Sequence, residues 1–185
     1  MPESMDVDLV ARAQGGDVNA IGALYNVHHE SIFRYVWLRV GDPHLAEDLT
    51  GDVFMRMLHA LPNYQSIGLP FRAWLYRIAH NLLVDHFRRN SRRETVSLDA
   101  AEARAGDDDP AASVEHTLRV ERVAGALSQL DVHQREVVAL RFVAGLSLQE
   151  TAQAVGRSEA AVKSLQHRGL EALRLALSEE EQVMA

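Results

Sequence analysis

The side chains best equipped for chemistry in this sequence are basic and amide groups at helical spacing, a set suited to holding nucleic acid. Arg77, Asn81 and Arg88 recur at intervals that place them on one flank of a helix, and Arg89, Arg92 and Arg93 extend the cluster past its end. Guanidinium groups attract phosphates whatever the sequence, whereas the Asn81 amide can pair with a base edge. Just upstream, Tyr64, Gln65 and Ser66 combine an aromatic ring with small polar groups, which suits an unstacked base of single-stranded DNA. Complementing a helix macrodipole needs one or two arginines, and Asp85 is placed to pair with Arg88 or Arg89. A cluster of this size asks for an anionic partner as well.

A second group lies near the C-terminus. At about 100° per residue, Glu159, Ala160, Lys163, Ser164, His167 and Arg174 fall on one arc of a helix, and Val162, Leu165, Gly169, Leu173 and Ala176 on the other. One face can pack while the other enters a major groove with its N-terminal part at the base edges. Arg157, Lys163 and Arg168 are placed to hold phosphates, and Ser158 leaves backbone N–H groups at the helix start for the same purpose.

Catalytic and metal readings find no support. The nine histidines include the pair His28-His29 and the near neighbours His80 and His86, neither at i,i+4 zinc spacing, and there is no cysteine. HExxH, P-loop and GxSxG patterns are absent. Asp85 and His86 are adjacent, and neighbours on a helix do not face each other. No enzyme, cofactor, metal or small-molecule substrate is expected.

The elements that must position these groups are helices. A short amphipathic stretch at Asp8–Gln14 and a longer one at Ala20–Val40 end at Gly41. Asp42 is a natural N-cap with Pro43 at the first helical position, and Leu45, Leu49, Val53, Met57 and Leu61 recur every fourth residue until Pro62. Gly51 in that helix suggests close approach of another backbone. Phe71, Trp74, Leu75, Ile78 and Leu82 form one stripe of a helix ending near Arg89. Beyond it, a helix over Val114–Leu130 precedes three more. Asp131 with Gln134 and Ser147 with Glu150 read as capping boxes, and Ser158 caps a last helix reaching about Leu177. Two helices joined through Gly156 make a helix-turn-helix.

Charge divides the chain in the same way. The net charge is −7, yet residues 71–93 carry six Arg against one Asp, while residues 94–115 carry seven acids against Arg104. That acidic stretch contains Asp107-Asp108-Asp109 and Pro110 and no aromatic residue, the composition of a flexible linker. The expected organisation is all-α: a helical unit at residues 1–93, a linker at 94–115 and a smaller helical unit at 116–180. The acidic first ten residues hold no apolar signal segment, and no apolar run approaches the ~20 residues that span a bilayer. A cytoplasmic protein without membrane insertion is expected.

Asp48-Leu49-Thr50 through Met57, then Phe71-Arg72-Ala73-Trp74-Leu75-Tyr76-Arg77 through Arg89, resembles region 2 of extracytoplasmic-function sigma factors. Leu130, Arg135-Glu136-Val137, Gly145-Leu146-Ser147, Glu150-Thr151-Ala152, Ala161-Val162-Lys163-Ser164 and His167-Arg168 resemble their region 4. The resemblance implies an alternative sigma factor that binds core RNA polymerase, reads promoter −35 and −10 elements and assists strand opening. It implies that Glu47, Asp48, Leu49, Asp52, Val53, Arg56 and Met57 dock on the β′ clamp helices. Tyr64, Gln65, Ser66, Arg77, Asn81, Arg88 and Arg89 would act at the −10 element. Arg157, Ser158, Glu159, Ala160, Lys163, Ser164, His167 and Arg168 would act at the −35 element. It further implies the β flap and an anti-sigma factor as partners. Gly51 stands where the family commonly has Gln, and Gln166 and Gly169 depart from the commoner Arg-Leu-His-Arg-Ala wording. The competing reading is a stand-alone helix-turn-helix regulator, against which the acidic whole argues through self-repulsion on DNA.

Overall fold

Side-chain caps set most helix starts. The structure, a computed structural model, describes the backbone of residues 2–66, 68–94 and 125–183, and all its regular elements there are helical. Residues 95–115 of the linker expected at 94–115, most of the Val114–Leu130 helix and the side chains of Arg92 and Arg93 lie outside the described residues. Helix α1 spans Pro2–Gln14 and α2 spans Val18–Val40, the latter begun by Asp17, which accepts from the Asn19 and Ala20 amides. Gly41 ends α2 at a φ of 76°, where its N–H reaches Trp37 O. Asp42 caps α3 (Pro43–Ala60) through the Leu45 amide at 3.0 Å, and a 3₁₀ turn at Leu61–Asn63 follows. Helix α4, Phe71–Glu94, runs a turn beyond the end expected near Arg89.

In the C-terminal unit the described residues open with a helical end at 125–128, and α5 (Val132–Val138) follows, continued by a five-residue π-helical turn, Ala139–Val143. Asp131 caps α5 by accepting from the His133 amide at 2.9 Å, a simple cap in place of the expected box with Gln134. Ser147 and Glu150 do form the reciprocal box that opens α6, Leu148–Val155. Gly156 then turns the chain at a φ of 64°, a left-handed conformation costly to any residue with a Cβ. Ser158 Oγ accepts from the Ala161 amide at 3.2 Å and starts α7, which spans Glu159–Val183 and outruns the expected end at Leu177.

The two units share one core. Leu24, Ile32, Tyr35, Val53, Met57, Leu75 and Leu83 belong to the same buried cluster as Val137, Leu140, Leu146, Val155 and Val162. The breadth of the apolar surface on α4 explains this. Beside the stripe of Leu75 and Leu82, it buries Tyr76, Ala79 and Leu83, so it packs on α1, α2 and α3 and also on α6. Helix α1 is fastened by a buried Asp6–His28 pair at 3.0 Å. It is also held by the Gln14 amide, which donates to Leu61 O at 2.9 Å and to Tyr64 O at 2.8 Å.

Candidate nucleic-acid interface

Helix α4 presents Arg77, Asn81, Arg88 and Arg89 to solvent. Among the described residues, Arg77 and Asn81 make no side-chain hydrogen bond, so both are open to a ligand. Arg88 donates to Asp85 Oδ1 at 3.1 Å, and Arg89 donates through Nε to the Asp85 carbonyl at 3.3 Å. Arg56 of α3 reaches the other Asp85 oxygen at 3.9 Å. These contacts are all exposed, where an ion pair contributes about 0–1 kcal/mol and yields readily to a phosphate.

Tyr64 departs from its expected role. It is 8% exposed, its ring lies 4.5 Å from that of Trp74 and 5.8 Å from that of Phe71, and its hydroxyl donates to Leu69 O at 2.9 Å. With its ring packed and its hydroxyl engaged, Tyr64 shapes the loop and does not offer a face to a base. Gln65 and Ser66 are exposed beside it. The aromatic partners of Tyr64 follow it by seven and ten residues across a non-helical loop, so helical periodicity could not have placed its ring.

On α3 the expected docking residues divide. Glu47, Asp48, Asp52 and Arg56 are exposed, whereas Leu49, Val53 and Met57 are buried. The four-residue repeat that made the latter conspicuous is the core stripe, and they position the polar face without forming it. The exposed apolar side chain there is Met55, which the repeat passes over. No backbone approaches Gly51: a Cβ added there would meet nothing within 4 Å.

In the helix-turn-helix, Val162, Leu165 and Ala176 of α7 are buried, and Glu159, Ala160, Lys163, Ser164, His167 and Arg168 are exposed. Arg157 and Ser158 precede them at the exposed turn, where Arg157 Nη2 lies 3.2 Å from His133 Nδ1. Gln166 and Gly169 serve packing. Gln166 accepts from Arg141 Nε at 2.9 Å and so ties α7 to the π-helical turn. At Gly169 a Cβ would stand 2.8 Å from Val138 Cγ2, because α5 and α7 cross there in close contact.

Sequence reasoning missed Glu136. Its Oε1 accepts from Arg39 Nη1 at 2.6 Å and from His80 Nδ1 at 2.6 Å, with the Tyr35 hydroxyl at 3.4 Å. Burial alone would raise the Glu136 pKa, but the hydrogen bond from His80 and the charge of Arg39 overcome it and hold the carboxyl at about 2. Burial and the neighbouring carboxylate push the Tyr35 hydroxyl up, so it remains a donor. The Arg39 guanidinium also stands 5.8 Å from the Phe87 ring centroid. The Arg-Glu-Val run was visible in the sequence, but nothing local marked its carboxylate as buried.

Comparison with known proteins gives this geometry its context. Residues 24–93 match Sigma-70 region 2, and residues 126–175 match Sigma-70, region 4. The chain is 39% identical over 171 residues to the ECF RNA polymerase sigma factor BldN of Streptomyces coelicolor, covering 90% of this chain but 64% of that protein. It is 36% identical over 181 residues to the ECF RNA polymerase sigma factor ShbA of Streptomyces griseus, covering 93% and 94%. Among solved structures, CnrH in complex with the cytosolic domain of CnrY superposes with a TM-score of 0.71 at 30% identity, over 94% of this chain and 97% of that one. RpoE from Bartonella quintana, in complex with the anti-sigma factor NepR, shares the fold with a TM-score of 0.76 at 22% identity, over 87% and 98%. With both regions matched in order and full-length relatives above 30% identity, the chain belongs to the ECF RNA polymerase sigma factors.

Proposed function

We propose that the chain binds core RNA polymerase and directs it to promoters, reading the −10 element through α4 and its preceding loop and the −35 element through α7. The observation that carries this reading is the exposure of Arg77, Asn81, Arg88 and Arg89 on α4 together with the exposed row from Arg157 to Arg168 on a capped helix-turn-helix. Phosphates hold the register on both faces, Asn81 and the first turns of α7 read base edges, and Gln65 and Ser66 hold the unstacked base. Docking on the polymerase clamp helices falls to Glu47, Asp48, Asp52 and Arg56, with Met55 as the apolar contact, and the C-terminal unit meets the β flap. The units run over residues 1–93 and 116–180, with 94–115 as linker. The chain makes and breaks no bonds itself, works in the cytoplasm and is held in check by an anti-sigma factor.

Reconstitution with sigma-free core polymerase on a set of genomic promoters tests this. Defined transcription starts should appear with the wild-type chain and disappear with Arg88→Ala/Arg89→Ala. Absence of specific starts with the wild-type chain sinks the proposal.

A further inference from the structure

All three described bonds of the Glu136 carboxylate leave its own unit. Its partners stand 101, 97 and 56 residues away, on α2 and α4 of the N-terminal unit. The side chains of Arg39 and Glu136 are 3% and 4% exposed, and that of His80 is 14% exposed. A second strap lies at the edge of the same interface, where Arg72 donates to Gly145 O at 3.0 Å. An ionised carboxylate buried between units needs its cationic partners, so removing it leaves Arg39 charged among apolar neighbours.

This arrangement cannot perform the proposed promoter reading, on which the inference rests. Elements named for positions −35 and −10 lie roughly 85 Å apart at ~3.4 Å per base pair. A compact body of roughly 150 residues has a radius of gyration of about 15 Å and is roughly 40 Å across. With a shared core, α4 and α7 therefore cannot occupy both elements together. The base-holding loop is also confined. Ser66 and Leu69 line one cleft of about 490 Å³ with Ser147, Glu150 and Gln153, so the C-terminal unit forms a wall beside this loop.

We propose that Glu136, seated in the socket of Tyr35, Arg39 and His80, is an autoinhibitory latch that holds the two units closed and must withdraw before both promoter elements are read. Docking on polymerase withdraws it by separating the units. Glu136 is part of neither DNA-reading face, and its loss spares the caps and apolar contacts within its own unit.

Because the chain has no cysteine, labels can be placed at Val18→Cys and Leu175→Cys, both at exposed positions. Pulsed electron spin resonance on the full chain should give one narrow distance distribution. Glu136→Ala, Glu136→Gln and Arg39→Leu should each broaden it toward longer distances with helix content unchanged. They should also raise polymerase-free affinity for a fragment carrying both elements by at least tenfold, with affinity for either element alone unchanged. An unmoved distribution overturns the latch, as does opening without the gain on the two-element fragment. Loss of helix content in all three variants overturns it too, by assigning Glu136 to folding. Transcription by wild-type holoenzyme separates this result from the parent reading. If the distribution opens but the wild type starts no transcripts, the sigma reading fails and the latch geometry stands. If transcripts start and the distribution does not move, the latch alone fails.

Discussion

The Glu136 carboxyl makes the stability of the protein depend on acid in a defined window. Its pKa in the folded protein is about 2, below the ordinary value of 4.5, so its contribution is fully present above pH 4.5 and is lost as the pH falls toward 2. The ionisable groups bonded to it are Tyr35 and Arg39 of α2 and His80 of α4. Denaturant midpoints measured from pH 5 to pH 2 should fall less steeply for Glu136→Gln than for the wild type, and parallel curves would refute the assignment. Two glycines give opposite expectations. Gly169→Ala pushes a methyl against Val138 in a tight helix crossing and should destabilise by about 1–3 kcal/mol, read as a lower melting temperature. Gly51→Ala meets open space on an exposed helical surface and should stabilise by up to ~1 kcal/mol in the free chain. A stabilising Gly169→Ala or a strongly destabilising Gly51→Ala would contradict these packing assignments.

At the scale of elements, legibility followed the range of the interaction. Ser147 and Glu150 lie three residues apart and satisfy each other, so their box was readable in the sequence, and so was the Asp42–Pro43 helix start. The buried arc of α7 was likewise readable from periodicity. On α3 the four-residue repeat reads as a core stripe and Leu49, Val53 and Met57 are buried; their docking role came from the resemblance alone, and neither signal marked Met55 as the exposed apolar residue. Residue pattern also could not reveal that α4 carries a second apolar face to be covered by α6, since the covering helix lies more than fifty residues away. The readable features have measurable weight. Ser147→Ala removes the cap of α6 and should cost about 1 kcal/mol, visible as a lower unfolding midpoint. On α7, Lys163→Ala should weaken binding of holoenzyme to all promoters alike and lower the slope of log affinity against log salt by about 1. Loss at one base position only would make Lys163 a base reader.

Across the whole molecule, the shared core makes two sequence regions into one cooperative body. Heat or denaturant should unfold the wild-type chain in a single transition, with probes on α3 and α7 reporting the same midpoint. A variant lacking the Arg39–Glu136 pair should show two midpoints. The N-terminal helix adds a longer reach. Gln14 precedes the span matched to Sigma-70 region 2, yet its amide anchors carbonyls 47 and 50 residues downstream, at the 3₁₀ turn and the start of the loop before α4. Fraying of α1 therefore removes a donor from Tyr64 O and leaves Leu61 O with the Tyr64 amide alone. A chain beginning at residue 24 would keep every recognised motif and lose the brace that shapes them. The first helix thus sets from afar how firmly the loop before α4 is held, and faster amide exchange at residues 64–69 on deleting α1 would be its signature.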